Sequence, residues 1–417
     1  MVSSNLISEA FIRLALAIDQ HIPGYVDAYF GPEEWRKQAE ATGPRPINEL
    51  LQETEALAAD LANDQGMDAQ RKDYLSSEVT AMLTILRMQQ GEVITFKQQV
   101  EGLFDIIPEW IDEAVFEKAL HSLEGFLPPG ESLYERMMAH HKTVEIDGLE
   151  SESLFKPLLA ELRRRTKERF PLPDGEELEI QMVSDKSWAA NNQYLGNLRS
   201  CVQVNRDLPF HITTLAELLA HEGYPGHHTE TANKEAQLVI KKGHLEFSIA
   251  LLYSPASVVA EGIAMQALAM IMTDDEWTEW HANEIFPRAK KEKLDAQKER
   301  EMLNIFHQSM HGILGNAALM LHDQGASERE VRNYLQHFEL YNQVEIDHRM
   351  RILSDPRYAS YTFNYYYGAQ LLEELFSTQD NPNHWFTRLL TEPITVGQIR
   401  SWITNKSASS KLRTHAG

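Results

Sequence analysis

LAELLAHEGYPGHHTE, residues 215–230, starts as a helix and cannot finish as one. Thr214 and Glu217 have the spacing of a capping box, which predicts a helix start at the threonine. Three of the chain's 17 histidines then fall within eight residues, the first beside a glutamate. In the His-Glu-x-x-His arrangement, positions i and i+4 share a helical face and aim two imidazoles at one zinc ion, with the glutamate as general base. Here i+4 is Pro225, and the next histidines are His227 and His228. On an ideal helix i+6 sits about 120° off the starting face and about 9 Å along the axis. The helix cannot be ideal, because Pro225 lacks an N–H and its ring clashes with the carbonyl of His221. Gly226 adds backbone freedom. A widened or broken turn lets six residues do the work of four. We therefore expect His221 and His227 as metal ligands and Glu222 as base, with His228, about 10.5 Å along the axis, behind them. The plainer reading is a helix end whose histidines cap the last turn.

Downstream, FSIALLYSPASVVAEGIAMQALAMIMT (Phe247–Thr273) carries a single charge, Glu261. A buried carboxylate must protonate or find a cation. Either a buried Arg or Lys or a zinc ion answers that need, and His-His-Glu plus water is a standard catalytic zinc set. With the histidines upstream, Glu261 is the expected third ligand. Pro255, Gly262, Gln266 and the central charge make the run a core helix, not a membrane span.

Working outward, the chain to about Phe170 reads as helices. INELLQETEALAADLAND and YLSSEVTAMLTILRMQQ space apolar residues by three and four. Pro128–Ser132 breaks one helix and caps the next, and PLPDG (Pro171–Gly175) reads as a linker. We expect an N-terminal helical domain over 1–170, walling a cleft, and a catalytic domain over 176–417. ELEIQMV (Glu177–Val183) and SCVQVN (Ser200–Asn205) alternate as strands do. From Thr213 to about Phe376 the pattern is again helical. The expected fold is mainly α, with a small β-sheet beside the active-site helix.

A net charge of −23 argues against nucleic acid and against anionic membrane surfaces. The lone Cys201 excludes an internal disulfide and any cysteine-based zinc site. The opening MVSSNLISEAFIRLALAIDQ reads as an amphipathic helix without a basic leader, so the expected location is cytoplasmic.

HEGYPGHHTE followed by AEGIAMQAL (Ala260–Leu268) resembles the bacterial family catalogued as domain of unknown function eight-eight-five, grouped with gluzincin-like metallopeptidases. The resemblance implies a zincin-like fold, His221 and His227 as ligands, Glu222 as base and Glu261 as third ligand. It also sets SCVQVN along the substrate cleft, where a peptide backbone could pair with it. In DPRYASYTFNYYYGAQLL (Asp355–Leu372), Tyr365 and Gly368 match the family's Tyr-x-x-Gly, which implies Tyr365 as donor to the oxyanion. The alternative is that Tyr361, Tyr365, Tyr366 and Tyr367 are core aromatics.

His307 and His311 stand at i, i+4 on an expected helix without a carboxylate between them, which favours a lining role over a second metal site. Arg199, Arg206, Arg349, Arg351 and Arg357 are each able in principle to clamp a peptide carboxylate. The expected activity is zinc-dependent hydrolysis of short peptides, with a non-peptide amide as alternative substrate. A silent metal-stabilised or peptide-binding protein is the rival of another class.

Overall fold

A computed structural model of the protein describes residues 4–186, 189–208 and 210–414. Its front part is a succession of helices. Ile47–Asn63 and Ala69–Gln90 cover the two segments whose apolar spacing marked them, and Leu50, Leu57, Leu61, Leu75, Met82 and Leu86 form their buried faces. After the Pro128 break, Ser132 caps Leu133–Val144 in a full capping box with Glu135. The Gly148–Arg169 helix ends this part, and the PLPDG stretch leads out of it through Gly175 at φ +84°.

The sheet that follows has three strands in the order Glu177–Val183, Arg199–Asn205, Ala190–Gly196. The first pair is parallel and the second antiparallel. Ala190–Gly196 (ANNQYLG) has no apolar alternation and was not legible as a strand; pairing with its neighbour makes it one. The middle position of Arg199–Asn205 corrects one expectation. Both of its edges are already paired, so SCVQVN offers no free backbone to a peptide. Glu235 holds the 196–198 turn, accepting from the amides of Asn197 and Leu198 and from the Tyr194 hydroxyl at 2.5 Å.

The apolar run Phe247–Thr273 divides in two. Ile249–Leu251 is a short strand, and Pro255 at the first turn starts a helix to Ile271. That helix is largely buried, including Val258, Val259, Ile263, Ala267 and Ile271. No single helix among the described residues is long and apolar enough to cross a membrane. The strand pairs antiparallel with Val26–Tyr29, which ties the front of the chain to the segment just before the Glu261 helix. One hydrophobic core runs through both parts, from Ile7 to Ile403.

Three helices frame the site. Leu215–Glu222 and Pro356–Thr378 each pack against Pro255–Ile271. The crossing of Pro255–Ile271 with Pro356–Thr378 is built on glycine. A Cβ on Gly262 would lie 2.6 Å from the Gly368 carbonyl oxygen, and one on Gly368 would lie 2.5 Å from that of Val258. With hydrogens at both positions the backbones touch, which sets Glu261, beside Gly262, against Tyr361, two turns before Gly368. The protein is mainly helical with small sheets.

Candidate metal centre

The Leu215–Glu222 helix ends at its glutamate. Gly223, the cis-linked pair Tyr224–Pro225 and Gly226 form a loop, and a second helix begins at His227. Six residues thus span the gap through a complete break and not a bulge. Gly226 makes the return tight: its amide donates to the Ala220 carbonyl at 3.0 Å, and a Cβ there would sit 1.9 Å from the His221 carbonyl oxygen. The expected capping box is absent. The Thr214 hydroxyl donates to the His211 carbonyl, while Glu217 pairs with Arg300 and His307 at 3.1 Å each.

The broken helix brings His227 back to His221, with ring centroids 4.8 Å apart and planes at 89°. Glu261 faces both. Its Oε2 stands 3.3 Å from His221 Nε2 and 3.8 Å from His227 Nε2. The three donor atoms lie within 4.8 Å of one another, and among the described residues they form the one such group of His, Cys, Asp and Glu. Oε2 is buried and makes no hydrogen bond, although two nitrogens face it. Two imidazoles and a carboxylate oxygen that converge without satisfying one another fit a divalent cation of the zinc type. Glu261 Oε1 accepts from the Tyr361 hydroxyl at 2.7 Å, the kind of contact that orients a ligating carboxylate. Burial opposes ionisation of Glu261, but His221, His227 and Tyr361 outweigh it and hold the carboxyl low. His221 is raised in turn: burial opposes its charge, and the Glu261 and Glu222 carboxylates overcome that.

His228 turns the other way. It is fully buried, with Nδ1 at 2.8 Å from Ser200 Oγ and Nε2 at 2.8 Å from Glu176 Oε2. Tyr224 and Arg163 complete this knot at 2.6 Å each. It pins the loop and the following helix onto the sheet and the Gly148–Arg169 helix, fixing where His227 points.

Glu222 is buried, and its carboxylate has no hydrogen-bond or ion-pair partner among the described residues. Asn192 of the edge strand Ala190–Gly196 donates to its carbonyl at 2.6 Å. Tyr365 is 39% exposed, and its ring lies 6.3 Å from that of His221. Of the four tyrosines, Tyr361 donates to Glu261, Tyr365 lies beside His221, and Tyr367 bonds to the backbone of Ile107 and Glu109.

Asp27 went unread in the sequence. It lies in the Val26–Tyr29 strand at a register shift, Val26 facing Leu251 and Ala28 facing Ala250, so it is the extra residue of a bulge. Bulges re-aim side chains. Asp27 is exposed at this position, and His227, Glu261 and Glu222 all act on it. Desolvation pushes its carboxyl up; His227 pulls it down, and Glu261 and Glu222 push it up further. VDAYF gives no local signal of this, since the bulge exists only once the strand pairs.

The remaining candidates separate. His307 ends a helix at Ser309 and pairs with Glu217, while His311 falls in the turn beyond, not on the same helix as expected. Their rings are 5.6 Å apart, and burial holds His311 neutral, with a pKa lowered to about 4.

No family model matches the chain, and no curated protein matches it. Among solved structures, a candidate lipoprotein of Colwellia psychrerythraea superposes with a TM-score of 0.51 at 12% identity, over 85% of this chain and 66% of that one. A candidate lipoprotein of unknown function from Shewanella oneidensis aligns with a TM-score of 0.49 at 12% identity, over 89% of this chain and 76% of its own. This chain spans just under two thirds of the Colwellia protein, and that likeness speaks to the fold alone.

Proposed function

We propose that the protein is a metal-dependent hydrolase acting on peptides, with zinc as the fitting ion. The observation that carries this reading is the convergence of His221, His227 and Glu261 within 4.8 Å beside buried Glu222, whose carboxylate has no hydrogen-bond or ion-pair partner among the described residues. The resemblance of HEGYPGHHTE and AEGIAMQAL to the gluzincin-like family points the same way. A bound zinc ion supplies Lewis acidity to a carbonyl and to water. Glu222 takes a proton from the attacking water and returns it to the leaving amine. Tyr365 donates to the oxygen on which negative charge develops. Tyr361 keeps Glu261 oriented.

Elemental analysis of purified wild type, His221→Ala and Glu261→Ala tests the centre. About one zinc per chain in wild type, lost in both variants, is the expected result. Glu222→Gln is expected to retain zinc and lose turnover on a peptide panel. Wild type that takes up no metal after reconstitution removes the proposal, and Glu222→Gln with undiminished turnover removes the base.

A further inference from the structure

The break after Glu222 leaves backbone carbonyls that a continuous helix would satisfy, and following each of them shows what holds the glutamate. In an unbroken helix the Glu222 carbonyl accepts from the amide of residue 226. Here that amide turns back to Ala220 at 3.0 Å. The Leu219 carbonyl keeps its helical partner, the Gly223 amide, at 2.9 Å. The Gly223 carbonyl takes the amide and the hydroxyl of Thr229 at 3.3 and 3.1 Å. The Glu222 carbonyl is left to Asn192, whose Nδ2 donates to it at 2.6 Å. This bond ties the last turn of the Leu215–Glu222 helix to the sheet.

We propose that Asn192 is a positioning residue for the general base: by holding the Glu222 carbonyl it sets the direction of the Glu222 carboxylate. This rests on the peptidase reading above.

Three observations support it. First, the Glu222 carboxylate is buried and has no hydrogen-bond or ion-pair partner among the described residues, so nothing anchors it at its tip and its backbone decides where it points. Second, the peptide plane that follows Glu222 has one helical bond left, from Gly223 to Leu219, and the chain turns out of the helix at Gly223, with φ −115° and ψ −96°. Asn192 supplies the second point that fixes this plane. Third, the strand that carries Asn192 is itself anchored. Asn192 lies opposite Val202 in the antiparallel pair. Two residues on, and so on the same face, Tyr194 donates to Glu235 at 2.5 Å, at the end of the helix that begins with His227. Phe30 packs edge-on against the Tyr194 ring, with centroids 5.1 Å apart. One face of one strand thus holds both halves of the broken helix, Glu222 through Asn192 and the His227 helix through Tyr194. An asparagine suits the position, because its amide donates to a carbonyl without adding charge beside the base.

The test compares zinc-loaded wild type, Asn192→Ala, Asn192→Asp and Gln193→Ala. The aspartate keeps the shape of asparagine and presents an acceptor in place of the donor. Gln193 points from the opposite face of the strand, its Oε1 3.4 Å from Gln203 Nε2, and is the control. Wild type is screened on a library of unblocked pentapeptides for newly formed amines. On the peptide cleaved fastest, kcat and KM are then measured for all four proteins, with zinc content and melting temperature alongside. The expected result is a kcat about 10–100-fold lower in both Asn192 variants, the scale of a misplaced catalytic group, with KM within about twofold of wild type. Zinc content stays at the wild-type level in both, and Gln193→Ala behaves as wild type. Either Asn192 variant decides the matter where the other does not fold. An unchanged kcat, a loss that falls on KM, zinc lost together with activity, or an equal loss in Gln193→Ala overturns the proposal. Zinc-loaded wild type that cleaves no peptide sinks the peptidase reading, and the positioning of its base with it, whereas active wild type with unaffected Asn192 variants sinks the positioning alone.

Discussion

Gly262→Ala puts one methyl group where the two central helices touch. Its Cβ would lie 2.6 Å from the Gly368 carbonyl oxygen, 0.8 Å short of the 3.4 Å at which ordinary contact begins, and 2.9 Å from the Gly368 carbonyl carbon. The obstacle is backbone on both sides, so no rotamer relieves it and the helices must part. Overpacking of this kind costs about 1–3 kcal/mol. The movement falls on the residue after Glu261 and widens the gap that Tyr361 bridges at 2.7 Å. A site held to about 0.5 Å does not survive a shift of that size unchanged. We expect zinc affinity, measured by competition with a chromophoric chelator, to fall about 10–100-fold, the range seen when a ligand's supporting contact is lost. The apparent melting temperature should fall with it. Gly368→Ala should do the same, and the double variant should cost less than the two together, since both relieve one contact. Gly125→Ala, where the nearest atom is 3.9 Å away, is the silent control. Wild-type zinc affinity and melting in Gly262→Ala would refute the claim that this crossing sets the geometry of the centre.

The two cleft tyrosines should part company: Tyr361→Phe leaves Glu261 Oε1 without its donor and weakens zinc binding, whereas Tyr365→Phe lowers kcat with zinc affinity unchanged. Equal effects on both quantities would contradict the assignment. Glu78, buried and accepting from the amide of Ala256 at the start of the Glu261 helix, is raised by desolvation from 4.5 to about 7. A raised carboxyl costs stability as pH climbs, by about 3 kcal/mol once pH exceeds 7. Glu78→Gln should therefore gain on wild type in urea denaturation from pH 4.5 to 7 and level off above; a difference flat with pH argues against it. Glu176 carries the opposite sign: burial raises it, but His228, Tyr224 and Arg163 prevail and hold its carboxyl low. Its contribution is present above about pH 4.5 and is lost as pH falls below, so Glu176→Gln should flatten the acid limb of the stability profile.

Much of the site was legible because its chemistry is local. His221, Glu222 and His227 lie within seven residues, and Pro225 with Gly226 announces that the helix between them must break. Glu261 stands out as one charge in an apolar run, and capped helices such as Leu133–Val144 follow from spacing alone. The capping box at Thr214 failed because Glu217 has better partners in Arg300 and His307, more than 80 residues away.

What tertiary structure alone decided shares one cause: it depends on which backbones meet. SCVQVN became a middle strand because ANNQYLG, unpromising by itself, supplied its second partner. His228 left the centre for Glu176 across the sheet, and Asp27 entered it from the far end of the chain through a bulge set by pairing with Ile249–Leu251. Tyr361 and Tyr365 stand a helical turn apart on one sequence pattern, and the Gly262–Gly368 contact sets one against Glu261 while the other lies beside His221. Residue types and their local spacing carry the chemistry; contacts between distant segments, each worth little until the chain closes on itself, assign it to particular atoms.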